Sequence, residues 1–192
     1  MQIPGFISLD SIEIPEGWQE DAETSSAIML MKQFHPAEHP DVEITFFKRR
    51  KIPPPDAMAS LTRTLEQPPH LIEQGGAEII SLTDALGNVG NNQWSNRQSG
   101  DAAASFRMLH AETTDLNGKN VLIVSGAFIA PTTKKAVNEY CGIYVPVIEA
   151  KPFIEELYLQ VPSKYGYLYF EKYLKVFRQT MKTIVWLTNF KP

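Results

Sequence analysis

The sequence predicts an α+β domain: an antiparallel β-sheet flanked by helices, in an α/β/α sandwich. Three observations predict this class: a strong hairpin signal at Asn117-Gly118, short apolar runs separated by proline or glycine, and two segments with apolar residues at helical spacing. Strands joined by a tight turn pair antiparallel, because the turn reverses the chain. With 192 residues and 43% hydrophobic residues, the chain can build one sizeable core, so we predict a single domain over residues 1–192.

Residues 115–119 carry the strongest turn signal. Asn-Gly at the centre of a loop is typical of a type I′ turn, which needs positive φ at both central residues. The flanking runs 105–111 and 121–128 are therefore expected to pair. The second run begins with unbroken apolar residues, so we expect it to be covered on both faces and central in the sheet.

The remaining strand signals are weaker. Residues 26–34 and 42–47 predict a second hairpin across a short, proline-bounded linker. Residues 137–147 predict an edge strand, since Gly142 and Pro146 interrupt the run and proline is tolerated at sheet edges. Residues 153–161 fit either a helix or a strand.

Two helices are predicted, at residues 56–66 and at about 163–182. Asp56 follows three prolines and precedes apolar residues at helical spacing, so its carboxylate is expected to cap the first helix. The second helix carries an apolar stripe, in which we expect the tyrosines to pack into the core rather than line a ligand groove. The predicted stripe consists of Tyr165, Leu168, Tyr169, Tyr173, Leu174, Val176 and Phe177. Residues 184–187 then form a short strand or an apolar anchor.

Composition limits the function classes. A net charge of −4 makes the chain too acidic for a general nucleic-acid binder, which needs a basic face. The single cysteine, Cys141, excludes an internal disulfide and suits a reducing compartment. The first residues show neither a basic region nor a long apolar run, and no segment approaches the length of a membrane span. We therefore predict a soluble, cytoplasmic protein without stable membrane insertion.

Motifs for catalysis or cofactor binding are missing from the sequence. It contains no phosphate-binding loop, no GxSxG nucleophile motif and no HExxH metal helix, so we predict no cofactor. The best metal candidate is the pair His35 and His39. Histidines four apart share one face of a helix, but Pro36 and Pro40 argue against a helix here. We interpret the pair as part of a turn and predict no metal site.

A nucleophilic site is the main enzymatic alternative. Cys141 could act as a nucleophile with His110 as its base, in a pocket of a small hydrolase-like enzyme. The residues around Cys141 are largely apolar, and a buried cysteine without a cationic neighbour is usually inert. We favour a structural role for Cys141 and a non-enzymatic protein.

Two segments are candidates for partner binding. The polar segment 87–100 carries Trp94 and Arg97, residue types that dominate the binding energy at interfaces; the competing interpretation is a plain connection. A basic cluster follows the strand 42–47 and could contact an acidic partner, an anionic membrane surface or RNA, or simply end the strand in solvent. It consists of Lys48, Arg49, Arg50 and Lys51.

The order of these features resembles a known family. The features are Ile14-Pro15-Glu16-Gly17-Trp18, a hairpin, a helix from Asp56, a hairpin turning at Asn117-Gly118-Lys119, and a late helix ending near Thr183-Ile184-Val185-Trp186. This order resembles the PsbP-like superfamily and its DcrB-related bacterial branch. The resemblance implies an antiparallel sheet sandwiched by helices and an accessory or chaperone-like role in binding another protein.

Overall fold

The computed structural model describes residues 8–22, 31–48, 54–74, 76, 104–148 and 152–187. Within these residues the chain forms nine strands and two α-helices. The strands are β1 (Leu9–Ser11), β2 (Trp18–Glu20), β3 (Met31–Pro36), β4 (Glu43–Lys48), β5 (Ser105–Leu116), β6 (Lys119–Ile129), β7 (Ala136–Val147), β8 (Phe153–Pro162) and β9 (Val185–Trp186). The helices are α1 (Pro55–Glu66) and α2 (Tyr167–Met181), and a 3-10 turn at Ser163–Tyr165 precedes α2.

Seven of the strands form one antiparallel sheet in the order β2-β3-β4-β8-β7-β6-β5, and β1 pairs separately with β9. The predicted hairpins β3–β4 and β5–β6 are both present. Because β4 pairs with β8, the first hairpin lies beside the later meander from β5 to β8. The predicted α+β class with an antiparallel sheet is confirmed.

The β5–β6 turn has the expected geometry. Asn117 and Gly118 have φ values of 55° and 84°, and the Gly118 N–H donates to a carboxylate oxygen of Asp115 at 3.1 Å. Strand β6 lies between β5 and β7, so it is interior but next to an edge strand. The centre of the sheet is β8, which the sequence left ambiguous and which is buried at every position from Phe153 to Val161.

The prediction that residues 137–147 form an edge strand is wrong, because β7 is paired on both sides. Pro146 is tolerated because β6 pairs with β7 only as far as Tyr144, so β7 has a local edge at the proline. Gly142 is required by packing: a Cβ atom there would approach Cζ of Tyr140 to 2.8 Å. Neither residue therefore marks an edge of the whole sheet.

Both predicted helices form, with two corrections. Helix α1 begins at Pro55 without a side-chain cap, so Asp56 is not the capping residue; it lies in the first turn, where a carboxylate interacts favourably with the helix dipole. Gly166, with φ of 82°, separates the 3-10 turn from α2. Leu168 is 83% exposed although the predicted stripe included it, because at about 100° per residue it lies on the side of α2 away from Phe170. The buried face consists of Phe170, Tyr173, Leu174, Phe177, Thr180 and Met181.

The two helices pack on opposite faces of the sheet. On one face, here called the α2 face, residues such as Ile44, Cys141 and Leu159 pack against α2. On the other, the α1 face, residues such as Leu122 and Val124 pack against α1. The predicted α/β/α sandwich is confirmed. Among the described residues, no helix is both long and apolar enough to cross a membrane.

Candidate functional site: the Lys119 groove

A groove of about 920 Å³ opens where the end of α1, the β5–β6 turn and the C-terminal segment meet. Ligand-binding clefts typically measure about 300–1,000 Å³, so this groove is large enough to bind a sizeable group. We call it the Lys119 groove. Its lining residues are Thr62, Leu65, Glu66, Asp115, Asn117, Gly118, Lys119, Asn120, Pro146, Lys182, Thr183, Ile184, Val185, Trp186 and Leu187.

Two asparagines of the β5–β6 turn hold the walls of the groove in place. The side-chain amide of Asn117 donates to the carbonyl oxygens of Lys182 at 3.0 Å and Ile184 at 2.7 Å. The amide of Asn120 donates to the carbonyl oxygens of Leu65 and Gln67, at 3.0 and 3.1 Å. The carbonyls at a helix C-terminus lack partners within the helix, so Asn120 also satisfies one carbonyl at the end of α1, that of Leu65. The turn thereby joins the helix to the C-terminal segment.

The C-terminal wall is a short strand with an aromatic side chain. Strand β9 pairs with β1, and the Leu187 N–H donates to the Ser8 carbonyl at 3.1 Å. The Trp186 indole N–H donates to the Leu116 carbonyl at 2.6 Å, which orients the ring against the β5–β6 hairpin. Val185 and Leu187 are 51% and 39% exposed. The wall therefore offers an aromatic ring and accessible apolar side chains.

Lys119 provides the distinctive charge of the groove. Its Nζ lies 5.0 Å from the centre of the Trp186 ring, within the range of a cation–π interaction. Burial lowers the pKa of Lys119 to about 8, and attraction to the Glu155 carboxylate opposes this shift. Glu155 is itself buried and accepts a hydrogen bond from the Ser8 N–H at 3.1 Å. The lysine is thus mainly cationic at neutral pH, in a partly desolvated position beside an aromatic wall.

The lining of the groove is chemically mixed. Its lining combines apolar side chains with charges of both signs and contains neither histidine nor cysteine. Within the described ranges, no group of three or more His, Cys, Asp or Glu side chains is arranged to hold a metal ion.

The residues proposed for partner binding are mostly outside the described part of the chain. This applies to Trp94, Arg97, Arg49, Arg50 and Lys51. The backbone of Lys48 is described: it is the last residue of β4 and lies directly opposite Glu155 of β8. The roles of all six residues in binding stay predictions.

The structure separates Cys141 from His110. His110 lies opposite Ser125, and Ser125 lies opposite Cys141, so the two residues are two strand spacings, about 10 Å, apart. The His110 imidazole instead lies 3.4 Å from a carboxylate oxygen of Glu112. Cys141 is buried in the α2-face core, where burial raises its thiol pKa to about 12. A nucleophile and its base must lie within hydrogen-bonding distance, so these two residues do not form such a pair in this structure.

The prediction that both histidines lie in a turn is correct for His39, which is in the β3–β4 turn, and wrong for His35, which belongs to β3 and pairs with Gln19 of β2. The His39 ring lies 4.7 Å from the ring of Tyr165 and 5.5 Å from that of Tyr169. Tyr165 donates to a carboxylate oxygen of Asp41 at 2.7 Å. Tyr165 and Tyr169 therefore join this turn to the 3-10 turn and to α2. The expectation that the stripe tyrosines pack into the core holds for Tyr173, which is buried, and is wrong for Tyr169, which is 41% exposed.

Sequence reasoning missed Lys119 and Trp186 as site residues. In the sequence, both residues belong to features that predict local structure only: Lys119 follows the turn, and Trp186 lies in the predicted terminal strand or anchor. The groove is assembled from three segments that are distant in the sequence, and no local pattern marks their meeting point.

Comparisons with known proteins give a likeness of structure and none of sequence. No protein-family model matches the chain, and no curated protein sequence matches it. Among solved structures, the chain is similar to cyanobacterial PsbP (CyanoP) from Synechocystis sp. PCC 6803, with a TM-score of 0.49 and 12% identity over 97% of each chain. At this identity the likeness is one of fold alone.

Proposed function

We propose that this protein is a non-enzymatic accessory module that binds another protein, and that the Lys119 groove belongs to its binding surface. The observation that carries the proposal is the groove itself, with the Trp186 ring beside exposed Val185 and Leu187. Tryptophan within an apolar surround is typical of the residues that contribute most of the energy at protein interfaces.

The centre of the sheet is a less suitable surface for a partner. The sequence favoured recognition through a sheet face or through the Trp94 segment. However, β8 and most of β7 are buried on both faces, so a partner has no open face to contact at these strands. The groove, in contrast, presents accessible apolar side chains beside a charged group.

The test is native mass spectrometry of the protein purified gently from its own host. Leu187→Asp places a charge on an exposed groove residue, and Leu168→Asp is the matched control on the exposed side of α2. We expect a co-purifying polypeptide at fixed stoichiometry with the wild type and with the control, and its loss with Leu187→Asp. A partner retained by Leu187→Asp would exclude the groove as the binding surface, and a bare mass for the wild type would contradict the binding function.

Two further surfaces belong to the same proposal. If the Trp94 segment contributes, Trp94→Ala combined with Arg97→Ala should reduce recovery of the partner in the same experiment. If the cluster Lys48, Arg49, Arg50 and Lys51 instead contacts membranes, the protein should bind anionic vesicles and lose that binding as salt is raised.

The alternative, a small hydrolase-like enzyme with a pocket near His110 and Cys141, has less support because the two side chains are separated.

Two finer parts of the proposal come from the sequence. A cytoplasmic location is supported by the single cysteine, and placement in the DcrB-related branch is supported by the order of the motifs.

A further inference from the structure

The first turn of α2 exposes three consecutive large apolar side chains. Tyr167, Leu168 and Tyr169 are 65%, 83% and 41% exposed, and Leu168 is the most exposed large hydrophobic residue in the described part of the chain. Exposed apolar side chains are ordinarily scattered singly over a protein surface. Three in a row leave a continuous apolar area open to another surface, and we call these residues the exposed apolar turn.

Helical geometry places Leu168 on the side of α2 that faces away from the sheet, opposite the buried face. Residues four and seven positions apart share one side of a helix, so Lys172 and Lys175 follow Leu168 along this outward face. Both lysines are exposed. Tyr167 and Tyr169 lie about 100° to either side of Leu168. The outward face therefore begins with apolar side chains and continues with two cations.

The charges along this segment are mainly positive. Residues 163–182 contain five basic side chains and one acidic side chain, all exposed, although the whole chain carries a net charge of −4. They are Lys164, Glu171, Lys172, Lys175, Arg178 and Lys182. Lys164 forms an ion pair with Asp41 of the β3–β4 turn, and the other four basic residues still outnumber Glu171. A basic surface on an acidic protein orients the molecule toward an anionic partner.

An anionic lipid surface matches both features. Tyrosine rings are favoured at the boundary between lipid headgroups and hydrocarbon, and lysines bind anionic headgroups while their hydrocarbon stems cover apolar surface. The Lys172 side chain already lies on apolar rings, with its Nζ 5.9 Å from the ring centre of Tyr169 and 5.0 Å from that of Tyr173. An acidic protein surface would also attract the lysines, but it would need a pocket to receive Leu168, which a lipid surface does not.

We propose that the outward face of α2 docks on an anionic phospholipid membrane, with Leu168 among the headgroups and Lys172 and Lys175 against their charges. The contact is peripheral, and no segment crosses the hydrocarbon. The Lys119 groove begins at Lys182, about 20 Å along the helix from Leu168, so a protein partner can occupy the groove while α2 contacts the membrane. This inference is therefore independent of the binding proposed for the groove.

Co-sedimentation of the full chain with lipid vesicles measures the docking. Vesicles of phosphatidylcholine containing about 30% phosphatidylserine are compared with vesicles of phosphatidylcholine alone, at about 0.1 M salt. We expect binding to the anionic vesicles and binding weaker by about tenfold or more to the neutral ones, because the lysines lose their headgroup charges. No binding to the anionic vesicles would overturn the proposal and favour an acidic protein surface as the occupant.

Two variants locate the contact on α2. Leu168→Gln removes the apolar side chain without adding a charge, and we expect it to weaken binding to the anionic vesicles by about tenfold. Lys172→Gln combined with Lys175→Gln should weaken binding by about thirtyfold, because each cation near an anionic surface contributes about fivefold. All three side chains are exposed, so these variants retain the fold.

Matched controls separate the outward face from the rest of the surface. Leu71→Gln removes a leucine that is 63% exposed beside β5, and Arg63→Gln combined with Arg107→Gln removes two exposed charges from α1 and β5. We expect both controls to bind the anionic vesicles as the wild type does. Wild-type binding by Leu168→Gln or by the double lysine variant would overturn the assignment to α2.

Discussion

Lys119 follows directly after a tight turn, a position that ordinarily leaves a lysine in solvent. Here the side chain is half-buried and lies beside Trp186, because the Asn117 amide draws the C-terminal segment against the turn. Cys141 shows the same dependence on surroundings: packing between the sheet and α2 raises its thiol pKa to about 12, which favours the protonated thiol over the thiolate. At the scale of the residue, burial determines the chemistry of both side chains.

Replacing Lys119 with methionine should raise the free energy of unfolding at pH 7. The increase should be smaller at pH 10. Burial lowers the pKa of Lys119 from 10.5 to about 8, so the unfolded chain binds more protons between these two values. Wild-type stability therefore rises with pH across that window. We expect a difference on the order of 1 kcal/mol at pH 7, because partial exposure and attraction to Glu155 reduce the penalty.

Urea unfolding midpoints of the wild type and Lys119→Met at pH 7 and pH 10 measure this effect. Lys182→Met, which removes an exposed lysine from the same groove, controls for the loss of a surface charge. The same difference between wild type and Lys119→Met at both pH values would contradict the expectation.

Among the elements, the β5–β6 hairpin has two roles. Its turn reverses the chain through the positive φ values of Asn117 and Gly118. Its asparagines also hold α1 and the C-terminal segment through hydrogen bonds to four carbonyl oxygens. The Asn-Gly pattern predicts the first role, because it depends on local backbone geometry. The second role depends on which segments the fold brings to the turn.

Asn117→Gly should separate these two roles. Glycine accepts the positive φ of this position but cannot donate to the carbonyls of Lys182 and Ile184. We expect a loss of about 1 kcal/mol in stability, and exchange of the Leu187 amide faster by about tenfold, since β9 loses its anchor. Hydrogen exchange followed by NMR measures the exchange rates of backbone amides next to β9 and in the large sheet. The Val124 amide in β6 is the internal reference, and unchanged exchange at Leu187 would show that Asn117 does not anchor β9.

Taken as a whole, the molecule has two apolar cores that share one sheet. Strands β7 and β8 contribute alternate residues to both, such as Ile143 and Leu159 on the α2 face and Tyr144 and Tyr158 on the α1 face. Loss of either core exposes these strands, so the two faces should unfold together. This coupling supports the proposal of a single domain over residues 1–192.

Unfolding in urea should therefore follow one transition. We expect the midpoints from tryptophan fluorescence and far-UV circular dichroism to coincide, as in two-state unfolding. The fluorescence includes Trp18 and Trp186, which pack on the α2-face core, while circular dichroism reports the whole sheet. Separate midpoints would contradict the single domain.

Local patterns predicted much of the fold. Asn117-Gly118 identified the main hairpin, and the spacing of apolar residues identified both helices to within a few residues. The errors came from residues whose meaning depends on a neighbour. Pro146 suggested an edge for β7, but it lies past the end of the β6 pairing. Leu168 is apolar but lies outside the face of α2 that packs on the sheet.

The candidate site could not be predicted in the same way. The Lys119 groove joins residues near positions 65, 117 and 185, and the sheet beside it depends on the pairing of β4 with β8 across more than a hundred residues. Gln33, Thr45 and Gln160 are residue types that are usually exposed, so their burial has no signal in the sequence.

The sequence by itself determined the class of fold, the two hairpins and the two helices, because turns and apolar periodicity act between residues a few positions apart. Only the tertiary structure decided the strand order, the central position of β8, and the burial of Lys119 and of polar side chains such as Thr45. These features follow from pairing and desolvation between distant segments, which depend on the three-dimensional arrangement of the whole chain.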